Sequence, residues 1–202
     1  MKTILKLSLL LSFLFSTAVA VHSQAYQKDK STLSVGYGAG TLISAYFNEA
    51  DKNTFNYSTT GPIYFKYGYT ITDKLEFGVN FAYAQYKANW TDTYYDSYYN
   101  SITYNYHTTY TTTSTLARLS WHFGNVKHLD PYFGFGVGYR TGKEVSESND
   151  PNYDTSSNAA LNFPFGMEAT IGARYYFTDS FGLYAETGAS KSVLQFGATI
   201  RF

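Results

Sequence analysis

Residues 63–83, IYFKYGYTITDKLEFGVNFAY, decide the fold. Ile63, Phe65, Tyr67, Tyr69 and Ile71 occupy every second position, a short turn follows at Thr72-Asp73, and Leu75, Phe77, Val79, Phe81 and Tyr83 resume the alternation. Between them stand Lys66, Gly68, Thr70, Glu76, Gly78, Asn80 and Ala82, which are small or polar. A period of two with unlike faces is the signature of a strand lying between two different environments.

Working outward, the same period predicts eight strands, at 31–44, 60–72, 74–88, 107–123, 131–142, 162–177, 180–189 and 192–202. The sixth sets Phe163, Phe165, Met167, Ala169, Ile171, Ala173, Tyr175 and Phe177 against Gly166, Glu168, Thr170, Gly172 and Arg174. Connections alternate in length. They are short at Thr72-Asp73, 124–130 and Thr178-Asp179, and long at 45–59, 89–106 and 143–161; the final connection, around 189–192, is short. In an up-and-down membrane barrel, short turns lie on the periplasmic side and long loops outside.

Volume decides which face points inward. An eight-stranded barrel has a bore that side chains just fill, so rings of Phe, Tyr, Leu and Ile from every strand would overfill it. An outer surface of Gly36, Gly38, Gly40, Gly134, Gly136 and Gly138 would solubilise nothing. The apolar face therefore meets lipid, and lipid requires every backbone polar group to be paired, which only a closed barrel achieves with strands. The expectation is an all-β, closed, eight-stranded antiparallel up-and-down transmembrane barrel. Tyr69, Tyr83, Trp121, Tyr175 and Tyr176 are placed as interfacial girdle residues.

Composition agrees. Aromatic residues make up 20% of the chain and charged residues only 15%, a poor recipe for a wholly wetted surface. No cysteine is present, which excludes disulfides, thiolate metal sites and lipid attachment through cysteine. The opening MKTILKLSLLLSFLFSTAVA carries Lys2 and Lys6, an apolar run from Leu7 to Phe15, and small residues at Ala18 and Ala20. It reads as a cleavable signal peptide over 1–20, with cleavage as late as residue 25 as the alternative, leaving a barrel domain over 26–202. Without Lys2 and Lys6 the 15 basic residues become 13 against 15 acidic ones, a formal charge of −2, which argues against nucleic acid.

The terminal SVLQFGATIRF alternates Leu194, Phe196, Ala198, Ile200 and Phe202 with polar and small residues and ends on the aromatic. With the turns YTITDKLEFG and YYFTDSFGLYAE, the chain resembles the small eight-stranded outer-membrane barrels typified by the OmpA transmembrane domain and OmpX. The resemblance is closest to outer-membrane β-barrel or porin-family proteins of Bacteroidota. It implies an outer-membrane location, surrounding outer-membrane lipids and a monomer. It also implies recognition of Phe196, Ile200 and Phe202 by the barrel-assembly machinery.

Alternation assigns Lys66, Glu76, Arg118, Arg140, Glu168, Arg174, Glu186 and Arg201 to the lumen, where charges are costly unless paired. A charge network that locks the barrel is the expectation, and a narrow gated channel the alternative. The second long connection carries Tyr94, Tyr95, Tyr98, Tyr99, Tyr104, Tyr106 and Tyr110 among Thr and Ser. Tyr and Thr favour strands, so the flanking strands should continue beyond the membrane as a hairpin, whose amphipathic rings suit recognition of an extracellular ligand or surface, with a purely protective, structural hairpin as the equal alternative.

An outer-membrane lipid-modifying enzyme is the rival class. His107 is the one histidine near the outer rim, with Ser101, Asp92 and Asp96 close in sequence, whereas His122 and His128 fall at the periplasmic end and His22 beside the leader. A lone loop histidine makes no nucleophile and base pair, so no catalytic residue and no cofactor are expected. Glu147, Asp150 and Asp154 match no calcium-loop spacing and read as solvated loop, with no metal expected.

Overall fold

The computed structural model describes residues 25–40, 55–95, 98–124, 127–153 and 164–202. The proposed leader, His22, Asp96, Asp154, Phe163, most of the first long connection and residues 154–161 of the third lie outside the described residues.

Among the described residues, eight antiparallel strands form one ring: β1 (Ser31–Ala39), β2 (Phe55–Thr70), β3 (Leu75–Tyr95), β4 (Ser101–His122), β5 (Leu129–Ser148), β6 (Phe165–Tyr176), β7 (Phe181–Ala189) and β8 (Leu194–Arg201). Each strand pairs with its sequence neighbour, and β1 closes on β8 from Thr32↔Arg201 to Ala39↔Leu194. Closure removes the open edge that lipid would leave unsatisfied.

The predicted faces follow the register. Phe65, Tyr67, Phe77, Val79, Phe135, Val137, Leu183 and Phe196 are all exposed on the outer wall, while Lys66, Glu76, Asn80, Arg118, Glu168 and Glu186 are buried. The described barrel is thus inside-out relative to a water-soluble domain, as lipid demands. Near the inner turns, Trp121 stacks on Phe133 at 5.9 Å and Phe123 on Phe133 at 4.6 Å, a half-dry aromatic girdle.

Three details differ from the sequence expectation. Tyr176 faces the lumen, 2% exposed, because it shares the parity of Arg174, and the Arg201 guanidinium lies 4.4 Å from its ring centre. The strands outrun their predicted bounds: β5 runs to Ser148 instead of 142, and β3, continuing to Tyr95, pairs with β4, beginning at Ser101, as the hairpin that the Tyr and Thr content predicts. Thr- and Tyr-rich segments favour extended backbone even without an apolar outer face. Finally, β2 begins at Phe55 and shifts register between Thr60 and Ile63. The extra residue falls at Gly61-Pro62, where Gly61 has φ 87° and a Cβ would stand 2.8 Å from the Tyr83 carbonyl. Such a bulge exchanges the two faces, so above it Phe55 and Tyr57 turn to the lumen side.

Candidate functional site

Two features carry the chemistry: a packed polar lumen and a sheet that rises beyond the barrel.

The lumen is built on parity and on glycine. Inward glycines leave room for long charged chains. A Cβ at Gly134 would overlap the Arg118 guanidinium, and one at Gly136 would stand 2.7 Å from Glu168 Cγ. Into that space Arg118 reaches Glu168 Oε1 at 2.6 Å and Glu186 Oε1 at 3.0 Å. Lys66 Nζ lies 2.8 Å from Glu186 Oε2 and donates to Gln195 Oε1 at 2.7 Å. Asn80 donates to Glu168 Oε2 at 2.6 Å, and Tyr132 donates its hydroxyl to Glu186 at 2.7 Å.

One layer nearer the inner turns, Arg174 grips both oxygens of Glu76 at 2.7 and 2.6 Å and stands 3.6 Å from Asp130. Asp130 also meets His122 Nδ1 at 2.6 Å. Tyr26 closes that end: its ring stacks on His122 at 3.9 Å, and its hydroxyl donates to the Thr72 carbonyl at 2.9 Å. Burial raises the Tyr26 phenol well above its ordinary range, with Glu76 and Asp130 adding to the effect.

The eight charged residues assigned to the lumen do not behave alike. Six of them, Lys66, Glu76, Arg118, Glu168, Arg174 and Glu186, form the ion-paired centre. Arg201 instead donates to the carbonyls of Ala25 and Asp179. Arg140 sits near the outer mouth, only part-buried, with its Nε unpartnered. Asp130 is a member that the sequence reading left in a turn, and Tyr64, Tyr132 and Tyr184 fill the lumen where aromatics were expected to face lipid. Their parity with Lys66, Gly134 and Glu186 was the available signal.

Above the rim the two faces reverse chemistry. Along β3 the outward series Phe77, Val79, Phe81, Tyr83 gives way to Gln85, Lys87, Asn89, Thr91 and Thr93, while β4 turns from Leu119 and Ala117 to Thr115, Thr113, Thr111 and Thr109. That change marks where lipid ends and water begins. Beyond it, the β3–β4 hairpin keeps unbroken register from Tyr86↔Tyr110 to Tyr95↔Ser101, roughly 30 Å of strand.

Its lumen-side face is aromatic. Tyr86 stacks with Tyr110 at 6.2 Å and Trp90 with Tyr106 at 5.4 Å and 9°, Tyr94 leans on Tyr104 at 5.9 Å, and Phe55 joins Trp90 at 6.4 Å. Tyr153 meets Tyr106 edge-on, and the Tyr106 hydroxyl donates to Asp150 at 3.1 Å. Tyr94, Tyr104 and Tyr106 thus share one face. Tyr95 stands on the opposite face at 71% exposure, and Tyr98 and Tyr99 lie in the turn at 85% and 89%. Trp90 and Phe55 were missed in the sequence because the loop reading hid their strand parity, whereas Tyr86, inside the predicted strand 74–88, shares the inward parity of Glu76.

His107 faces away from the aromatic ladder, with Nδ1 against Asn89 and Nε2 3.1 Å from Thr109. Asp92 pairs opposite Tyr104 on the other face, and Ser101 stands six residues up the strand, about 20 Å away. No nucleophile and base pair arises from these residues. Among the described residues no cluster of three metal-ligating side chains occurs, and Asp150 is engaged by Tyr106 and the Asn152 amide.

No curated protein matches the chain. Among solved structures, the attachment invasion locus protein Ail of Yersinia pestis, crystallised with the heparin analogue sucrose octasulfate, is 16% identical with a TM-score of 0.44, covering 87% of this chain and 100% of that one. The N-terminal barrel domain of Pseudomonas aeruginosa OprF is 17% identical at a TM-score of 0.39, over 87% and 98% of the two chains. Outer membrane protein OprG of the same organism is 11% identical at 0.38, over 88% and 97%. The model of the outer membrane protein beta-barrel domain matches residues 23–187, most of the chain. With its ring of eight strands, lipid-type exterior and polar lumen, this chain belongs to the outer membrane protein beta-barrel domain family.

Proposed function

We propose that the protein is an integral outer-membrane barrel that serves as a rigid base for a surface-recognition sheet, binding an extracellular ligand or surface through the β3–β4 hairpin. The observation that carries this reading is the aromatic ladder of Phe55, Tyr86, Trp90, Tyr94, Tyr104, Tyr106 and Tyr110 above the rim. Tyr94 is exposed and Phe55, Trp90, Tyr104 and Tyr110 are part-exposed over the buried Tyr86 and Tyr106, so rings held on paired strands offer contact area at little conformational cost. The filled lumen supports a base over a conduit: Arg118, Glu168, Glu186 and Lys66 occupy the bore from several walls at once. A gated channel would have to dismantle that network, and an enzyme would need a base and nucleophile together.

Processing and assembly fit the same reading. Cleavage after Ala20 leaves the Ala25 carbonyl in place for Arg201, whereas cleavage after Ala25 would put a cationic terminus beside that guanidinium. Phe196 and Ile200, exposed on the last strand, and Phe202 just beyond it would be offered to the barrel-assembly machinery before β8 closes on β1.

The test compares cells expressing wild type, Trp90→Ala/Tyr94→Ala, or the His107→Ala variant. Readouts are adhesion to host matrix and cell surfaces, solute uptake and lipid A composition. The proposal expects loss of adhesion in the aromatic variant alone, with barrel assembly unchanged. Altered lipid A in His107→Ala would favour an enzyme, and altered uptake with intact adhesion would favour a channel.

A further inference from the structure

Near the outer mouth of the lumen, beyond the Arg118–Glu168 pair, lies a cavity of about 50 Å³ whose wall includes Tyr64, Asn80, Ser114, Arg140, Glu168 and Lys191. Its charges do not balance. Glu168 is the one carboxylate of that wall, and both its oxygens are already taken, by Arg118 and by Asn80, each at 2.6 Å. Among the described residues neither Arg140 nor Lys191 is ion-paired. Arg140 Nε is buried without a partner. Lys191 Nζ, in the β7–β8 turn, donates to Thr112 Oγ1 at 3.0 Å, which leaves two of its three hydrogens uncommitted.

Two uncompensated cations facing one small polar space are costly unless a counter-charge joins them. Burial, and then the charge of Arg140, hold the Lys191 ammonium down at about 7, the direction expected of a cationic site awaiting an anion. The same wall holds one buried acceptor with no partner, Asn80 Oδ1. A volume of this size takes roughly three to four waters, or one small oxyanion in their place.

We infer that this cup binds a small protonated oxyanion of the phosphate class, held by Arg140 and Lys191 and read by Asn80 Oδ1, which accepts the hydrogen of its P–OH group. The arginine supplies a planar donor fork and the lysine a compact charge, the pairing that suits a tetrahedral anion. Sulfate, lacking that hydrogen, leaves the Asn80 acceptor unpaired and binds less well. The paired lumen beneath makes the cup a dead end, so the anion is a bound ligand and not a transported ion.

The experiment titrates the full mature protein, refolded in detergent micelles, with inorganic phosphate at pH 6.5 by calorimetry, holding ionic strength constant with chloride. Saturable one-to-one binding is expected. Arg140→Gln should weaken it at least tenfold and Lys191→Met at least threefold, while Lys87→Gln, on the outer face of β3, leaves it unchanged. Sulfate should bind several-fold more weakly. A parallel titration with glycerol 3-phosphate separates two sources of the same chemistry, since tighter binding assigns the cup to the phosphoryl group of a larger molecule and weaker binding to the free ion. Should Arg140→Gln fail to refold, the turn variant Lys191→Met carries the test. Absence of saturable phosphate binding, or binding that Lys191→Met leaves unchanged, would overturn the assignment, and equal affinity for sulfate would remove Asn80 from it.

Discussion

Replacing Arg174 by Gln should destabilise the barrel more than any single change on its outer wall. Arg174 donates to Glu76 at 2.7 and 2.6 Å, stands 3.6 Å from Asp130, and lies 4.7 Å from the ring centre of Tyr132. Glu76 is 4% exposed and Asp130 2%, so neither carboxylate can recover solvation once the guanidinium is gone. His122 and Thr32 remain as partners, which keeps the loss below that of two bare charges. Removing one member of a buried pair costs about 3 to 5 kcal/mol. With a urea dependence of about 1.5 kcal/mol per molar, the unfolding midpoint should fall by roughly 2 to 3 M. The assay is equilibrium urea unfolding of protein refolded into phospholipid vesicles, followed by Trp90 and Trp121 fluorescence. Because the pair is buried, the loss should persist in 1 M salt, where the screening length of about 3 Å would erase a surface interaction. The double variant Glu76→Gln/Arg174→Gln should regain part of the loss, since it strands no charge on Glu76. A loss under about 1 kcal/mol, or one abolished by salt, would refute the claim that the lumen is a dry, paired plug.

Two further outcomes follow from the same geometry. Gly134→Val should cost about 1 to 3 kcal/mol in the same unfolding assay, because its Cβ would occupy the place of the Arg118 guanidinium; an unchanged midpoint would mean that the lumen has slack. Native Lys191 is held at about 7 against an ordinary 10.5, so between those values the unfolded chain binds more protons and stability should rise with pH; this slope, measured without phosphate from pH 6.5 to 9.5, should flatten in Lys191→Met, and its persistence there would assign it elsewhere.

Much of this was legible because in a strand one residue's face fixes its neighbour's. Once Phe65 faces lipid, Lys66 must face the lumen, and the turn at Thr72-Asp73 carries the register into Glu76 without further information. The same rule applied to Tyr64, Tyr132, Tyr176 and Tyr184, but tyrosine suits both a lipid interface and a polar interior, so residue type alone pointed the wrong way. Asp130 resembled a turn residue and proved to be the first inward position of β5. The hairpin beyond the membrane lacks an apolar outer face, so the alternation stopped near 88 and only the strand preference of Thr and Tyr in 89–106 pointed to it. Partnerships across the lumen were beyond reach. Arg174 and Glu76 are 98 residues apart and meet only through the stagger of a closed barrel, which no local pattern encodes. The Arg140 and Lys191 cup has the same origin, since one residue comes from β5 and the other from the β7–β8 turn.

Orientation in the outer membrane, with the aromatic hairpin outward, is the claim on which the rest depends, and a chain without cysteine allows it to be tested directly. Tyr98→Cys, in the β3–β4 turn, and Asp179→Cys, in the β6–β7 turn, are expressed separately in cells and treated with a membrane-impermeant maleimide before and after the envelope is opened. The account predicts that residue 98 is labelled on intact cells and residue 179 only after opening. Labelling of residue 179 on intact cells, or of residue 98 only after opening, would contradict it.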